Sequence, residues 1–527
     1  MTLGLTGAAF AANPVTSEFA NGSFSSTPET EITATNLTEG DSAEYFQVLK
    51  WDPDNGGWVF VSSDIETAIG LTVEDITDGI TEAEATEIAN AFTGAGTAMS
   101  VSGTTASATG LVAGLYYIRA IPADDNKSTV YNPAFASCDY YEGGNTVDLS
   151  TAIAGETVLK KTDVPLEKEV DNTEDLFNDV KPGDLIPFKI TTTIPSYGTT
   201  FTNPVFTITD VLSDGLELDG DVTVKYGTST TTESVADVVT ITKGTPENGF
   251  TVEFEDAYLT GLAGATPDVE ITYKAKVTTE ALNNVTFMDN TATLEFSNKP
   301  GETVDKDDIT RHYTFTIDGL LNGGGETSER THEAIKVGVD KDGNPVVSES
   351  EQVTYHGVAY GPLGGATYKL TGTGTNAGVE KEFTTGDDGH IVFEGLDAGT
   401  YTLEETAAPA GFIRDTMVYT VTIIPEYDDD TRDDAILLGY EITIEDENGK
   451  AYAAGGATFT VDNQGTVSEV TDDISSSESD TNPFNNTRGV ELPSTGGMGT
   501  TLFYVIGTIL VLGAGILLVT RRRMGEN

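Results

Sequence analysis

From about Leu159 to Thr487 apolar and polar residues alternate in short runs rich in Val, Thr, Tyr and Phe, as in "TVEFEDAYL", "VEITYKAKVTT", "NTATLEFSN" and "MVYTVTII". A period of two, broken every few residues by Gly, Asn and Asp, is the pattern of half-buried strands, and their number predicts β-sandwiches. Asp342-Gly343 and Asp388-Gly389 supply turns. One stretch breaks the pattern: "VEDITDGITEAEATEIANAF", Val73 to Phe92, is rich in Glu and Ala and predicts a helix closed by Gly94. Pro, Lys and Asp cluster at "VLKKTDVPLEKEV" and "NKPGETVDKDD", marking two boundaries, and "SSSESD" is a short low-complexity linker.

The ends have a different pattern. Thr501 to Thr520 is an uncharged run of 20 residues, followed at once by Arg521, Arg522 and Arg523. As a helix it spans the roughly 30 Å hydrocarbon core of a bilayer. Basic residues beside a span stay cytoplasmic, so the body of the chain faces outward. At the other end "LGLTGAAFAANP" reads as the close of a secretory signal, with Ala9 and Ala11 set for cleavage before Ala12. No basic region precedes it, so an internal methionine of a longer precursor is expected at Met1, with a short apolar native N-terminus as the alternative.

Composition narrows the function. Lys and Arg number 27 against 85 Asp and Glu, for a formal charge of -58. That field repels phosphate backbones, excludes nucleic acid as a partner and keeps an exported chain soluble. Cys138 is the only cysteine, so no disulfide staples the chain; a buried small apolar role is expected of it. His312, His332, His356 and His390 are scattered without metal-ligand spacing, and no nucleophile elbow or phosphate loop is present. Neither a metal nor a cofactor is expected, and a hydrolase is excluded. "DPDNGGWVFVSSD" begins like a calcium loop at Asp52 and Asp54, but Gly56 and Ser63 stand at ligand positions, so a turn is expected. Gly323 to Gly325 read as a loop without a following helix.

"LPSTG", Leu492, Pro493, Ser494, Thr495 and Gly496, stands just ahead of the apolar run and the arginines, and the three parts together resemble the L-P-x-T-G sorting signal of Gram-positive surface proteins. The resemblance implies that a sortase cysteine attacks the Thr495 carbonyl, releases Gly496 onward and passes the acyl group, held as a thioester, to an amine. "YTLEETAAPAGF", Tyr401 to Phe412, resembles the E-box of sortase-assembled pilins within a CnaB-like immunoglobulin-type domain. "EVDNTEDLFNDVKPGDLIPFKITTTIPSY", "FTITDVLSDGLEL" and "NTATLEFSN" resemble the isopeptide-forming second domain of backbone pilins of the SpaA and EbpB type.

In such domains a lysine attacks an asparagine amide. The amine must be neutral, and therefore buried, and a neighbouring acid must stay protonated to polarise the carbonyl and move protons as ammonia leaves. By resemblance the second domain uses Lys168 on its first strand, Asn290 on its last and Asp210; the third uses Lys336, Asn486 and Glu405. Lys341, Asn485 and Asn298 are the nearest rivals. Each residue taken alone also has an ordinary role: an edge-strand lysine against aggregation, a turn-capping aspartate or asparagine, a surface glutamate. Each bond would close a loop of more than a hundred residues and, by analogy with disulfides, stabilise by roughly 5 kcal/mol.

Polymerisation requires a further, exposed lysine. The family places it in a W-x-x-x-V-x-V-Y-P-K motif, from which this chain departs: "VYNPAF", Val130 to Phe135, has no lysine, and Trp51 and Trp58 lie far upstream. Lys161, with Lys160 as alternative, sits at the expected junction; a solvated linker pair is the ordinary reading.

The expected architecture is all-β, with tandem immunoglobulin-like (CnaB-type) sandwiches and a C-terminal transmembrane sorting helix. Its parts are a signal remnant (1–11), an N-terminal pilin domain (12–160), an isopeptide-forming second domain (161–306), a CnaB-like third domain (307–489) and the sorting signal (490–527). The expected function is that of a backbone subunit of a sortase-built pilus: a sortase substrate rather than a turnover enzyme, wall-anchored after one passage through the cytoplasmic membrane, and supporting adhesion. Its expected partners are a pilin-specific and a housekeeping sortase, identical subunits in an open head-to-tail fibre, minor pilins, peptidoglycan and host surface ligands. The alternative is a monomeric wall-anchored adhesin using the same domains as a stalk.

Overall fold

A computed structural model describes residues 29–489, apart from 53–56, 78, 124–125, 127, 144–145, 173–174, 198–200, 263, 283–287, 318–333, 348–351, 462–466 and 472–480, together with 508 and 510–512. The Ala9 to Ala12 cleavage site, His332, Gly323 to Gly325, Leu492 to Gly496, most of the Thr501 to Thr520 run and the three arginines lie outside these residues. No helix among the described residues is long and apolar enough to cross a membrane. The chain forms two compact units: Met1–Tyr313 with Asp429–Ala435, and Thr314–Asp428 with Ile436–Asn527.

The first unit begins with a four-stranded sheet (Gly155–Val158, Thr30–Thr35, Thr105–Leu111, Ser100–Ser102) and a six-stranded sheet around Ser42–Asp52 and Gly114–Ile121. Ile32, Ala34, Tyr116, Ile118 and Ala136 fill one core of this domain. Cys138 belongs to it, fully buried, with its thiol donating to the Glu31 carbonyl at 3.5 Å and its pKa pushed up to about 11, chiefly by burial. Asp52 pairs with Gly57 in the hairpin that the calcium-like stretch forms.

The single expected helix, Val73 to Phe92, is two short ones, Val73–Thr77 and Glu82–Asn90, and a further helix, Ser63–Ile69, precedes them. Gly79, at φ +117°, breaks the run. A fresh N-cap then starts the third helix, where Glu84 N donates to Thr81 Oγ1 and Thr81 N donates to Glu84 Oε2 at 2.7 Å. The helix closes at Ala91 rather than Gly94, whose carbonyl accepts from Arg119 instead. Ile76, Ile80, Ile88 and Phe92 bury the helices against Trp51 and Trp58.

The second sandwich of this unit has two five-stranded sheets. One runs in the order Leu166–Val170, Leu185–Thr193, Asp268–Val277, Leu216–Tyr226, Ser229–Thr231; the other Val239–Lys243, Gly249–Phe254, Phe206–Leu212, Met288–Lys299, Glu302–His312. Inward residues of both, among them Phe188, Ile190, Ile208, Phe250, Leu294 and Phe296, form one core. Asn290 is not on the last strand as expected, because Glu302–His312 follows it and pairs along its length. The edge strand Leu166–Val170 is protected: Lys168 N donates to Asp308 Oδ2 and Val170 N to Asp433 Oδ2, each at 2.7 Å.

The second unit is built on a seven-stranded antiparallel sheet that contains Thr367–Gly372, Gly399–Ala407, Val418–Tyr427 and Leu437–Glu445. A smaller sheet brings Lys336–Val339 and Phe484–Arg488 side by side in parallel, with Phe412–Ile413 beyond. An early strand and the last strand of this domain are thus neighbours, although Lys336 and Phe484 lie 148 positions apart (484 − 336). Both Asp-Gly pairs form turns, with Gly343 at φ +84° and Gly389 at φ +76°.

Candidate functional site

Alternation dictates which side chains enter each sandwich. On Leu166–Val170 the inward positions are Leu166, Lys168 and Val170, while Glu167 and Glu169 face solvent. By the same rule Asp210 points inward with Phe206, Ile208 and Leu212, Asn290 with Met288, Ala292 and Leu294, and Tyr273 with Ile271 and Ala275. Four polar side chains therefore meet among apolar ones. Lys168 and Tyr273 come from one sheet, Asp210 and Asn290 from the other.

Lys168 Nζ donates to Asp210 Oδ2 and to Tyr273 Oη, both at 2.5 Å. The Tyr273 hydroxyl donates to Asp210 Oδ2 at 2.7 Å and accepts from Asn290 Nδ2 at 2.8 Å. The Lys168 and Asp210 side chains have no solvent exposure. Desolvation is the largest influence on both: it lowers the Lys168 amine and raises the Asp210 carboxyl, each toward its neutral form, against their mutual attraction. Phe188 and Tyr273 rings lie 5.0 and 5.1 Å from Nζ. His312, on the strand beyond Asn290, is fully buried and held below its usual range, at about 4, first by burial and further by the nearby Lys168. Its Nδ1 pairs with the Phe177 carbonyl at 2.7 Å and its Nε2 with Thr310 Oγ1 at 3.2 Å.

The second unit repeats the chemistry on a different frame. Lys336, Glu405 and Asn486 are all buried. Lys336 Nζ donates to Glu405 Oε2 at 3.2 Å and to Tyr368 Oη at 2.8 Å. Asn486 Nδ2 donates to Glu405 Oε2 and to the Ile413 carbonyl, both at 2.8 Å. Burial lowers the Lys336 amine pKa, with Glu405 and Asp415 opposing it. Asp415 N donates to Glu405 Oε2 at 2.7 Å and fixes the carboxyl. Both amide hydrogens of Asn486 are engaged, which holds its carbonyl oxygen in one orientation.

At both sites the second oxygen of the acid and the carbonyl oxygen of the asparagine, Asp210 Oδ1 with Asn290 Oδ1 and Glu405 Oε1 with Asn486 Oδ1, are buried without a hydrogen-bond partner. At the Lys168 site, where burial raises the Asp210 carboxyl toward its neutral form, a carboxyl proton would meet both acceptors. The arrangement is suited to amide exchange: an amine that burial shifts toward its neutral form, an amide with an unencumbered carbonyl, and an acid beside it.

The rivals sit elsewhere. Lys341 is exposed and paired with Asp342, Asn485 is exposed, and Asn298, though buried, is on the far end of the Asn290 strand. Tyr273, Tyr368 and His312 were not anticipated. A Tyr or His within a strand pattern looks like any other core aromatic, and only its register gives it away. Among the described residues no group of His, Cys, Asp or Glu could hold a metal.

The first domain carries a different polar cluster. Buried Asp41 accepts from Ala123 N and Asn126 Nδ2 at 2.9 Å and from the Tyr131 hydroxyl at 2.7 Å. Lys161–Asp163 pairs with Thr129–Tyr131, so the two lysines adjoin "VYNPAF" through strand pairing rather than along the chain. Lys161 is half-buried and its Nζ donates to Thr38 Oγ1 at 2.6 Å, whereas Lys160 is exposed.

Comparison with known proteins agrees with this architecture. Residues 352–434 match the SpaA prealbumin-like fold domain, and residues 485–524 match the LPXTG cell wall anchor motif. The trypsin-resistant surface T6 protein of Streptococcus pyogenes serotype M6 is 24% identical over 549 aligned residues, covering 94% of this chain and 95% of the relative. The solved three-domain T6 backbone pilin of serotype M6 Streptococcus pyogenes aligns with a TM-score of 0.57 at 20% identity, over 88% of this chain and 100% of that one. The full-length major pilin SpaD of Corynebacterium diphtheriae aligns over 88% of this chain and 98% of its own, with a TM-score of 0.48 at 16% identity. The chain is thus a cell-wall-anchored surface protein that carries the LPXTG motif near its C-terminal end and is similar, along nearly its whole length, to the T6 surface protein of Streptococcus pyogenes.

Proposed function

We propose that this protein is the structural backbone subunit of a sortase-assembled pilus, stapled internally by amide bonds from Lys168 to Asn290 and from Lys336 to Asn486. The supporting observation is that two differently built sandwiches each bury a lysine, an asparagine and a carboxyl in mutual contact, at side-chain exposures of 0% for both ion pairs. A buried ion pair on its own is poor value in stability, since desolvation of two charges offsets their attraction. Two neutral partners set against an amide make chemical sense of what electrostatics does not.

In this reading the lysine amine adds to the asparagine carbonyl carbon, Asp210 or Glu405 donates to the carbonyl oxygen, and ammonia leaves. The step runs once per domain. A pilin sortase takes Thr495 as an acyl thioester and delivers it to a lysine of the next subunit; a housekeeping sortase ends the fibre on peptidoglycan. Lys161 was the first candidate for that lysine, but the exposure of Lys160 and the Thr38 bond of Lys161 favour Lys160.

The test is the intact mass of the ectodomain, Ala12 to Glu491, with mapping of cross-linked peptides. A deficit of two ammonia molecules traced to the two named pairs is expected; the unmodified mass overturns the staples. In cell-wall extracts, a ladder of detergent-resistant species supports the polymer, and a single band supports the monomeric adhesin.

A further inference from the structure

Both sites contain a phenol that amide exchange by a lysine, an asparagine and an acid does not by itself require. The two phenols arrive from unrelated places. Tyr273 lies on Asp268–Val277, in the sheet that holds Lys168 and opposite the acid; Tyr368 lies on Thr367–Gly372, in the acid's own sheet and directly across from Glu405. Each nonetheless accepts a hydrogen bond from its lysine.

Their further contacts differ. A hydroxyl has one proton and two lone pairs. At Tyr273 all three are used on reacting groups: the lone pairs accept from Lys168 Nζ and Asn290 Nδ2, and the proton goes to Asp210 Oδ2. In the other unit the carboxyl performs this bridging itself, since Lys336 Nζ and Asn486 Nδ2 both donate to Glu405 Oε2. Asp210 has no such bond to its asparagine nitrogen; the phenol stands between them.

We propose that Tyr273 is a catalytic residue, the proton relay that lets Asp210 serve both nitrogens during formation of the Lys168–Asn290 amide, whereas Tyr368 only positions Lys336. This rests on the cross-linking reading given above. As Nζ bonds to the Asn290 Cγ, Asp210 gives its carboxyl proton to the Asn290 carbonyl oxygen, a proton on Nζ passes to Tyr273 Oη and the phenol proton passes to Asp210 Oδ2. On collapse the carbonyl re-forms and its oxygen returns its proton to Asp210, Asp210 Oδ2 returns the other to Oη, the phenol protonates Nδ2, the Cγ–Nδ2 bond breaks and ammonia departs. One C–N bond forms and one breaks, nothing is oxidised or reduced, and acid and phenol end as they began. Burial holds the phenol neutral, with its pKa well above the ordinary value.

The experiment follows both amides in time. The full chain is made by cell-free synthesis, sampled and acid-quenched, and the two cross-linked peptide pairs are quantified by mass in wild type, Tyr273→Phe and Tyr368→Phe. Phenylalanine preserves the ring contacts of Tyr273 with Phe188 and Phe250, at centroid distances of 5.3 and 4.8 Å. Tyr273→Phe is expected to slow the Lys168–Asn290 bond by about 100-fold or more, leaving Lys336–Asn486 at the wild-type rate, whereas Tyr368→Phe slows its own bond by less than about 10-fold. A Lys168–Asn290 rate within about threefold of wild type overturns the relay, as does equal slowing at both sites, which makes the phenol a packing element in each. As a check that needs no variant, wild-type rates are compared in H2O and D2O: the second-domain reaction is expected to slow more than the third-domain one, and equal isotope effects count against the relay. If wild type releases no ammonia in either domain, the cross-linking reading itself fails, and this inference with it.

Discussion

Lys168 and Lys336 are the residues on which the molecule's chemistry turns, because each is a charge-capable group held where charge is expensive. Replacing Lys168 with Ala removes the nucleophile and the Lys168–Asn290 bond with it. The expected loss is one ammonia deficit, with the Lys336–Asn486 deficit retained, and a destabilisation of the first unit of roughly 5 kcal/mol from the released loop, read as a fall in denaturant midpoint. His312 gives a pH signature of its own. Its folded pKa, about 4, lies below the unfolded value of 6.5, so the unfolded chain binds the proton more strongly. Stability is therefore fully present above pH 6.5 and is lost as pH falls toward 4, by about 2 kcal/mol at pH 5. Wild type is expected to lose that much more than His312→Gln when denaturant unfolding at pH 7.5 and pH 5 is compared; equal losses would place the titration elsewhere.

At the level of elements, the sandwiches act as jigs. Period-two alternation decides that Lys168, Asp210 and Asn290 face in, and the pairing of Phe206–Leu212 with Met288–Lys299 sets Leu212 opposite Asn290 and Asp210 opposite Ala292. The register depends on close backbone approach at Gly249, which pairs with Val211; a Cβ there would stand 2.0 Å from the Asp210 carbonyl oxygen. That neighbour is backbone and cannot swing aside. Gly249→Ala is expected to cost about 3 kcal/mol and to lower the yield of the Lys168–Asn290 bond, since the strand carrying Asp210 must shift. Thermal unfolding and peptide mapping check it together. A normal melt with full cross-linking would show that the strand pair tolerates the displacement.

For the whole molecule, covalent continuity is the property that matters. In a fibre of such subunits pull travels from Thr495 of one subunit to a lysine of the next and through each sandwich. On the reading proposed above, amide staples between early and late strands would carry that load without the redox sensitivity of disulfides, in a chain whose one cysteine is buried. Lys160→Ala is expected to abolish the high-mass ladder in wall extracts while leaving wall-attached monomer; Lys161→Ala is expected to retain it. The reverse result returns the role to Lys161. Loss of neither ladder removes both lysines from polymerisation.

Much of this was written in the residues themselves. Strand alternation, the punctuation by Gly and Asp, the sorting motif with its apolar run and arginines, and the absence of metal or nucleophile motifs are local properties, so the all-β class and the surface destination follow from order along the chain alone. Lys168, Asp210 and Asn290 were legible only through a resemblance, because isolated Lys, Asp and Asn in strands and turns have common ordinary roles. Tertiary structure decided what depends on register across long separations. It put the Tyr273 oxygen among three groups from strands scattered over more than a hundred residues, and it aligned Lys336 with the final strand. It also placed Lys160 in solvent beside a half-buried Lys161 and split the expected helix at Gly79. Contacts of this kind arise when two sheets close on each other, and a local pattern carries no record of what will face it across the core.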